Sequence, residues 1–316
     1  MNEITNTRMN PSIDQFLSIW NWEIPVYLFL GGIVAGMMII SGYFLFKGRT
    51  KDVECSCYKI PFVSLIFLTA GMIALFLDLE HKAYVWRVYT TFKIKSPMSW
   101  GSWILLLIYP VLFLNILIRI PKFLSNKFPF LEDLSTKINS HPVAVRNIGI
   151  ASMISGALLG IYTGVLLSSL GARPLWNSST LWILFLLSGL STAAAFIHLI
   201  AKSRYESHLL AKADNVFLSL ELIVLILFLI GLLTSTQVHI DAAKLLLNGS
   251  YAPAFWVFVV GLGIIIPLII QIMAVSNKIP HTPIAPIMVI VGGLILRFVI
   301  VYAGQVSHWF NAQLLK

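Results

Sequence analysis

The sequence predicts an all-α, polytopic membrane protein with eight transmembrane helices in two four-helix bundles. Composition gives the class: 58% of the 316 residues are hydrophobic and only 11% are charged, and mean hydropathy is +0.87, far from a soluble domain. Spacing gives the count, because crossing the hydrocarbon takes about 20 mostly apolar residues and the chain holds eight such runs. Their limits are 24–46, 60–79, 100–120, 147–169, 179–201, 215–235, 253–275 and 284–305, with polar loops, Pro and Gly between them. An internal echo gives the arrangement. "YLFLGGIVAG" in span 1 resembles "WILFLLSGLS" in span 5, Pro110 and Pro267 interrupt spans 3 and 7, and Tyr162 and Tyr302 sit late in spans 4 and 8. Such a duplication yields two parallel bundles, over 24–170 and 171–316, preceded by an outer segment, 1–23.

The opening stretch, "MNEITNTRMNPSIDQFLSIWNW", is polar and lacks a basic-then-apolar start, so no cleaved signal peptide is predicted. Span 1 follows, with Gly32 and Gly36 at small-x-x-x-small spacing. Span 4 carries Gly156, Gly160 and Gly164 in the same pattern, and faces of this kind let helix backbones approach closely. Spans 1 and 4 are therefore expected to touch. The loop after span 1 holds Cys55 and Cys57, the only cysteines. An iron–sulfur cluster takes about four such ligands, so no cluster is expected in this chain and no metal site is predicted.

The formal charge of +9 does not imply nucleic acid, because the basic residues lie mostly in loops, where they set topology. An even number of spans puts both termini on one side. The loops between spans 1–2, 3–4, 5–6 and 7–8 hold thirteen Lys and Arg, the opposite set eight, and span 8 one, Arg297. This bias predicts both termini outside, on the periplasmic side of the cytoplasmic (inner) membrane of a prokaryote. Loop 2–3 runs against it with Lys82, Arg87, Lys93 and Lys95.

With that topology, polar and aromatic residues from distant stretches meet at the outer face. Span 1 begins there with Trp20, Trp22, Glu23 and Tyr27; span 2 ends there with Asp78, Glu80 and His81. Span 3 begins there in "SPMSWGSW", residues 96–103. Tyr162 in span 4 falls about 10 Å below the outer surface at 1.5 Å per residue, ahead of "RPLWN". The tryptophans could simply form an interfacial belt, and Asp78 and Glu80 could simply mark a helix end. Buried phenols and carboxylates, however, need partners in protein, water or ligand. A pocket with phenol donors, a carboxylate and Trp walls suits a quinone, whose ring and tail are apolar and whose two carbonyls need donors. Haem is not expected, since only His198 lies clearly within a span. Glu221 in span 6 and Arg297 in span 8 fall at different depths, so no direct ion pair between them is expected.

The stretches "IWNWEIPVYLFLGGIVAG", "LDLEHKAYVWRVYTTFKIKSPMSWGSW", "YTGVLLSSLGARPLWN" and "LRFVIVYAGQ" resemble the NrfD-like family, the membrane subunits of polysulfide reductase and related respiratory complexes. The resemblance covers most of the chain. It implies a haem-free eight-helix subunit that binds menaquinone or ubiquinone in its first four helices and exchanges electrons with an extrinsic, ferredoxin-like iron–sulfur subunit. Through that subunit it would serve a catalytic molybdopterin or multihaem subunit. Carried over by position, the resemblance implies quinone-site roles for Tyr162, for Tyr27 where some members have histidine, and for Asp78, although the usual "DLGRP" reads "DLEHK" here. The expected proton-handling residues are Asp78, Tyr162 and Glu23, and the expected quinone contacts are Tyr27, Tyr162, Asp78, His81, Trp100 and Trp103. In SPMSWGSW, Ser96 or Ser99 would cap span 3, Gly101 would permit close approach, and the two tryptophans would wall the pocket. Two alternatives stand beside this reading: a proton- or ion-translocating subunit using Glu221, Arg297 and His198, and a scaffold that anchors extrinsic subunits without quinone.

Overall fold

The computed structural model describes residues 20–48, 59–120, 126–201, 203–276, 278–280 and 282–307. Cys55 and Cys57 lie outside the described residues, as do Arg8, Arg49, Lys51, Lys122, Lys202 and Lys316. The described residues are all-helical, and eight helices are long and apolar enough to cross a membrane. They are α1 (Glu23–Phe46), α2 (Ile60–Asp78), α4 (Pro97–Ile118), α6 (Pro142–Ser168), α7 (Leu181–Ile200), α8 (Arg204–Leu233), α10 (Ala254–Val275) and α11 (Ile284–Val306). Shorter helices fill three connections: a 3₁₀ turn (Lys82–Tyr84) with α3 (Trp86–Thr90), α5 (Pro129–Asn139) and α9 (Gln237–Leu247).

The ends of the elements follow their sequence. Proline stands in the first turn of α2, α4, α5 and α6, where its missing N–H costs nothing and its fixed φ suits a helix. Pro142 starts α6 five residues before the apolar run does. Pro267 lies inside the seventh crossing, and the segment ahead of it, Ala254–Ile265, is wound as a π-helix. A proline deprives the preceding turn of one N–H donor, and a wider turn is one way to absorb the fault.

The packing follows a simple plan. In the first half α1 lies along α2 and α6, and α4 along α2 and α6; in the second, α7 lies along α8 and α11, and α10 along α8 and α11. The halves meet where α1 touches α7 and α11, and where α6 touches α7. Helix α1 is thus central and is buried on nearly every side, which suits a segment apolar all round. By contrast, α8 presents Ile223, Ile226, Leu227 and Ile230 outward, a lipid-facing stripe at helical spacing.

The expected contact between spans 1 and 4 is present, but its glycines are divided differently. A Cβ on Gly156 would meet the Ala35 carbonyl oxygen at 2.6 Å, so that glycine does serve α1. Gly32 and Gly36 instead face Gly189 of α7, where a Cβ on Gly36 would lie 2.5 Å from the Gly189 oxygen. The small residues of α1 therefore bring the halves together. Between α1, α4 and α6 the Asn115 amide donates to Ser152 Oγ at 2.9 Å, and Ser152 donates to the Met38 carbonyl at 2.8 Å. This chain of bonds lies toward the end of the bundle where α1 and α4 finish.

Candidate functional site

Where α1 and α4 begin and α2 and α6 end, the helices enclose a cavity of about 200 Å³. Its walls are mainly apolar, with Trp20, Leu28, Leu75 and Leu105 among them. Four polar side chains interrupt the apolar lining besides Ser102: Tyr27 of α1, Asp78 of α2, Tyr89 of α3 and Tyr162 of α6. Tyr27, Asp78 and Tyr162 are the three that the sequence predicts, and they converge from three helices. Tyr27 and Tyr162 are 3% and 7% exposed, and their hydroxyls lie within hydrogen-bonding reach of each other.

Gly101 makes room for Tyr162. A Cβ there would fall 1.9 Å from both Cζ and the hydroxyl oxygen of the phenol. The rest of SPMSWGSW works differently from the expected cap. Neither Ser96 nor Ser99 caps α4 with its side chain. Ser99 Oγ instead accepts from the Lys93 N–H at 3.0 Å and lies 3.2 Å from the Thr91 carbonyl. Ser102 Oγ lies 3.0 Å from the Val88 carbonyl and 2.8 Å from that of Ser99. These serines tie the connection carrying α3 onto the start of α4.

The remaining predicted residues sit around the cavity rather than in its wall. Trp100 and Trp103 are 49% and 45% exposed; they pack with Phe92, and the Trp100 indole donates to the Ile94 carbonyl at 2.6 Å. Helical register explains this, since Met98, Ser102 and Leu105 occupy the cavity face at i, i+4 and i+7 and the two tryptophans fall on the outer stripe. Glu80 and His81 are exposed, and the His81 ring is 6.4 Å from that of Tyr84. Glu23 is partly buried at the start of α1, its Oε2 without a hydrogen-bond partner, and it is close enough to Asp78 for their charges to interact.

One wall is held by the second half of the chain. The Trp20 N–H donates to Gln305 Oε1 and Gln305 Nε2 donates to the Trp20 carbonyl, both at 2.9 Å. Trp20 stacks on Trp176 with ring centroids 5.3 Å apart, and the Trp176 indole donates to the Ile300 carbonyl at 2.9 Å. Trp176 occupies the space beside Gly304, where a Cβ would lie 1.8 Å from Nε1. The stretches "WNW", "RPLWN" and "VYAGQ" thus form one clamp.

Sequence reasoning misses Tyr89. It sits in a five-residue helix within a connection, too short for any periodic signal. Burial, with Tyr109 nearby, raises its phenol above the ordinary value, so at neutral pH it is a protonated donor. Among the described residues no three His, Cys, Asp or Glu side chains group as metal ligands.

The family description "Polysulphide reductase, NrfD" matches residues 5–308. The chain belongs to the NrfD family. One chain of the polysulfide reductase of Wolinella succinogenes is 29% identical, with 93% of the present chain and 97% of that relative aligned. Protein NrfD of Escherichia coli K12 is 28% identical over 92% and 96%. One subunit of the selenate reductase of Mesobacillus selenatarsenatis is 23% identical over 93% and 76%. Two of these NrfD relatives are thus, by name, components of multi-chain reductases. Family membership and the eight apolar helices among the described residues make this chain an integral membrane protein.

Proposed function

We propose that the protein is the quinone-reactive membrane subunit of a respiratory oxidoreductase, exchanging electrons between menaquinol or ubiquinol and an extrinsic, ferredoxin-like iron–sulfur subunit. The observation that carries this reading is the convergence of two phenols and a carboxylate, from three helices, on one largely apolar cavity. That lining fits a quinone head group: the walls take the ring and first tail units, and the phenols supply donors for carbonyl oxygens. A bound quinol supplies two electrons and two protons on oxidation. The Tyr27–Tyr162 pair orients the head group by donating a hydrogen bond, with Gly101 and the Trp20 clamp fixing the walls. Asp78 accepts or returns a proton at its carboxylate, and Glu23 beside it extends the acidic route toward the face where α1 begins.

We further read that face as periplasmic, with both termini there and the membrane as the inner one. The first four crossings then form the quinone-binding unit, over residues 24–170. Lys82, Arg87, Lys93 and Lys95 are exposed beside the cavity and suit an acidic partner surface, which reconciles loop 2–3 with the charge bias. A molybdopterin or multihaem subunit would lie beyond the iron–sulfur partner. Extraction of the purified complex should yield bound quinone, and Tyr162→Phe should lower quinol-linked turnover without reducing assembly. Unchanged turnover would remove Tyr162 from the site.

A second reading, translocation of protons, draws on a file of buried polar groups in the second half. Asp214 Oδ2 accepts from Gln271 at 2.7 Å and Glu221 Oε2 accepts from Ser191 at 2.9 Å. Arg297 donates to the Phe185 carbonyl at 3.0 Å and lies over that ring. Among the described residues Asp214 Oδ1, Gln271 Oε1 and two Arg297 nitrogens have no hydrogen-bond partner. Unpaired polar atoms in a membrane interior call for internal water. Among the described residues no salt bridge joins Glu221 to Arg297, although the two are close enough for their charges to interact. Proton uptake by liposomes carrying the complex should fall with Glu221→Gln; equal uptake rejects this reading.

A further inference from the structure

The phenol pair leaves a question of stoichiometry. A tyrosine hydroxyl has one proton to donate, so a bond between Tyr27 and Tyr162 leaves one free donor between them. A quinone presents two carbonyl oxygens on opposite sides of its ring. One further donor is needed, and the cavity wall offers Tyr89, which lines the same cavity as Tyr27 and Tyr162. The raised pKa keeps the Tyr89 hydroxyl protonated at neutral pH, so it carries one proton to donate.

The surroundings of Tyr89 favour a purpose beyond packing. Helix α3 spans only Trp86–Thr90, and one turn of helix does not hold itself in water. Its neighbours Trp86, Arg87, Val88 and Thr90 are exposed, whereas Tyr89 is half-buried and lines the cavity. The bonds from Ser99 and Ser102 to Thr91, Lys93 and Val88 hold this turn at the start of α4. We infer that Tyr89 is a ligand-contacting residue of the quinone site, donating the hydrogen bond to the carbonyl that the Tyr27–Tyr162 pair leaves unserved. The inference rests on the proposed quinone function and adds a second point of attachment to it.

The test is equilibrium binding of a dimethylnaphthoquinone to the purified complex, followed by quenching of tryptophan fluorescence, since Trp20 lines the cavity. Tyr89→Phe keeps the ring and removes only the donor. It should raise Kd about five- to tenfold, the range of one net hydrogen bond, as should Tyr162→Phe. If Tyr162→Phe weakens binding while Tyr89→Phe matches the parent, the assignment of Tyr89 fails and the quinone site stands. If the parent itself shows no saturable quenching, the quinone function fails and Tyr89 loses its role with it.

Discussion

Gly101 constrains the cavity region closely, because the Tyr162 phenol occupies the volume that any side chain there would need. Gly101→Ala should therefore displace the phenol from Tyr27, at an overpacking cost of about 1–3 kcal/mol. We expect quinone content on lipid extraction to fall at least as far as in Tyr162→Phe, with a lowered melting temperature in detergent; parental values for both would separate Gly101 from the site. At this scale the sequence is legible where topology alone fixes depth: Tyr27, Asp78 and Tyr162 each follow from their place along a span. It misleads for Trp100 and Trp103, since a large aromatic beside a pocket reads as its wall until the register of α4 is known. Trp20 and Gln305 are 285 positions apart, and no local pattern announces their paired bonds.

At the scale of elements, α3 depends on others for its place. Replacing Ser99 and Ser102 together by alanine removes their hydroxyl bonds, each worth about 1 kcal/mol. Hydrogen exchange over residues 82–95 should accelerate about tenfold or more, while exchange in α6 stays as in the parent. Equal protection throughout would mean that the connection is held by something besides these serines. The eight crossings are readable because a run of about 20 apolar residues matches the thickness of a bilayer and exceeds what an ordinary soluble helix buries. The short elements are not: α5 and α9 are amphipathic, with too few apolar residues for such a scan, and α3 is shorter than two turns. The early start of α8 escapes for the same reason, since its first turns are polar, and that of α6 is cut off from the apolar run by Arg146 and Asn147.

For the whole molecule, the controlling feature is the central position of α1, with one set of small residues facing α6 and another facing α7. Small-residue spacing reveals that α1 packs closely but not against what, because the spacing on one helix does not name its partner. Reporter fusions at residues 1 and 316 should both report the periplasmic side, and fusions in the loops after α1 and α4 the cytoplasmic side. Opposite reports at the two ends would overturn the even number of crossings. Reversed reports at all four would turn the cavity toward the cytoplasm.

The clamp on Trp20 also bears on how the protein comes into being. Tyr27, Asp78, Tyr89 and Tyr162 are all synthesised within the first half of the chain, or just past it, yet the tryptophan beside them is gripped by a glutamine near its end. A nascent polypeptide halted after the seventh crossing would hold every one of these polar groups and still have one side of the chamber loose, so the wall at Trp20 closes only when the eighth helix enters the bilayer.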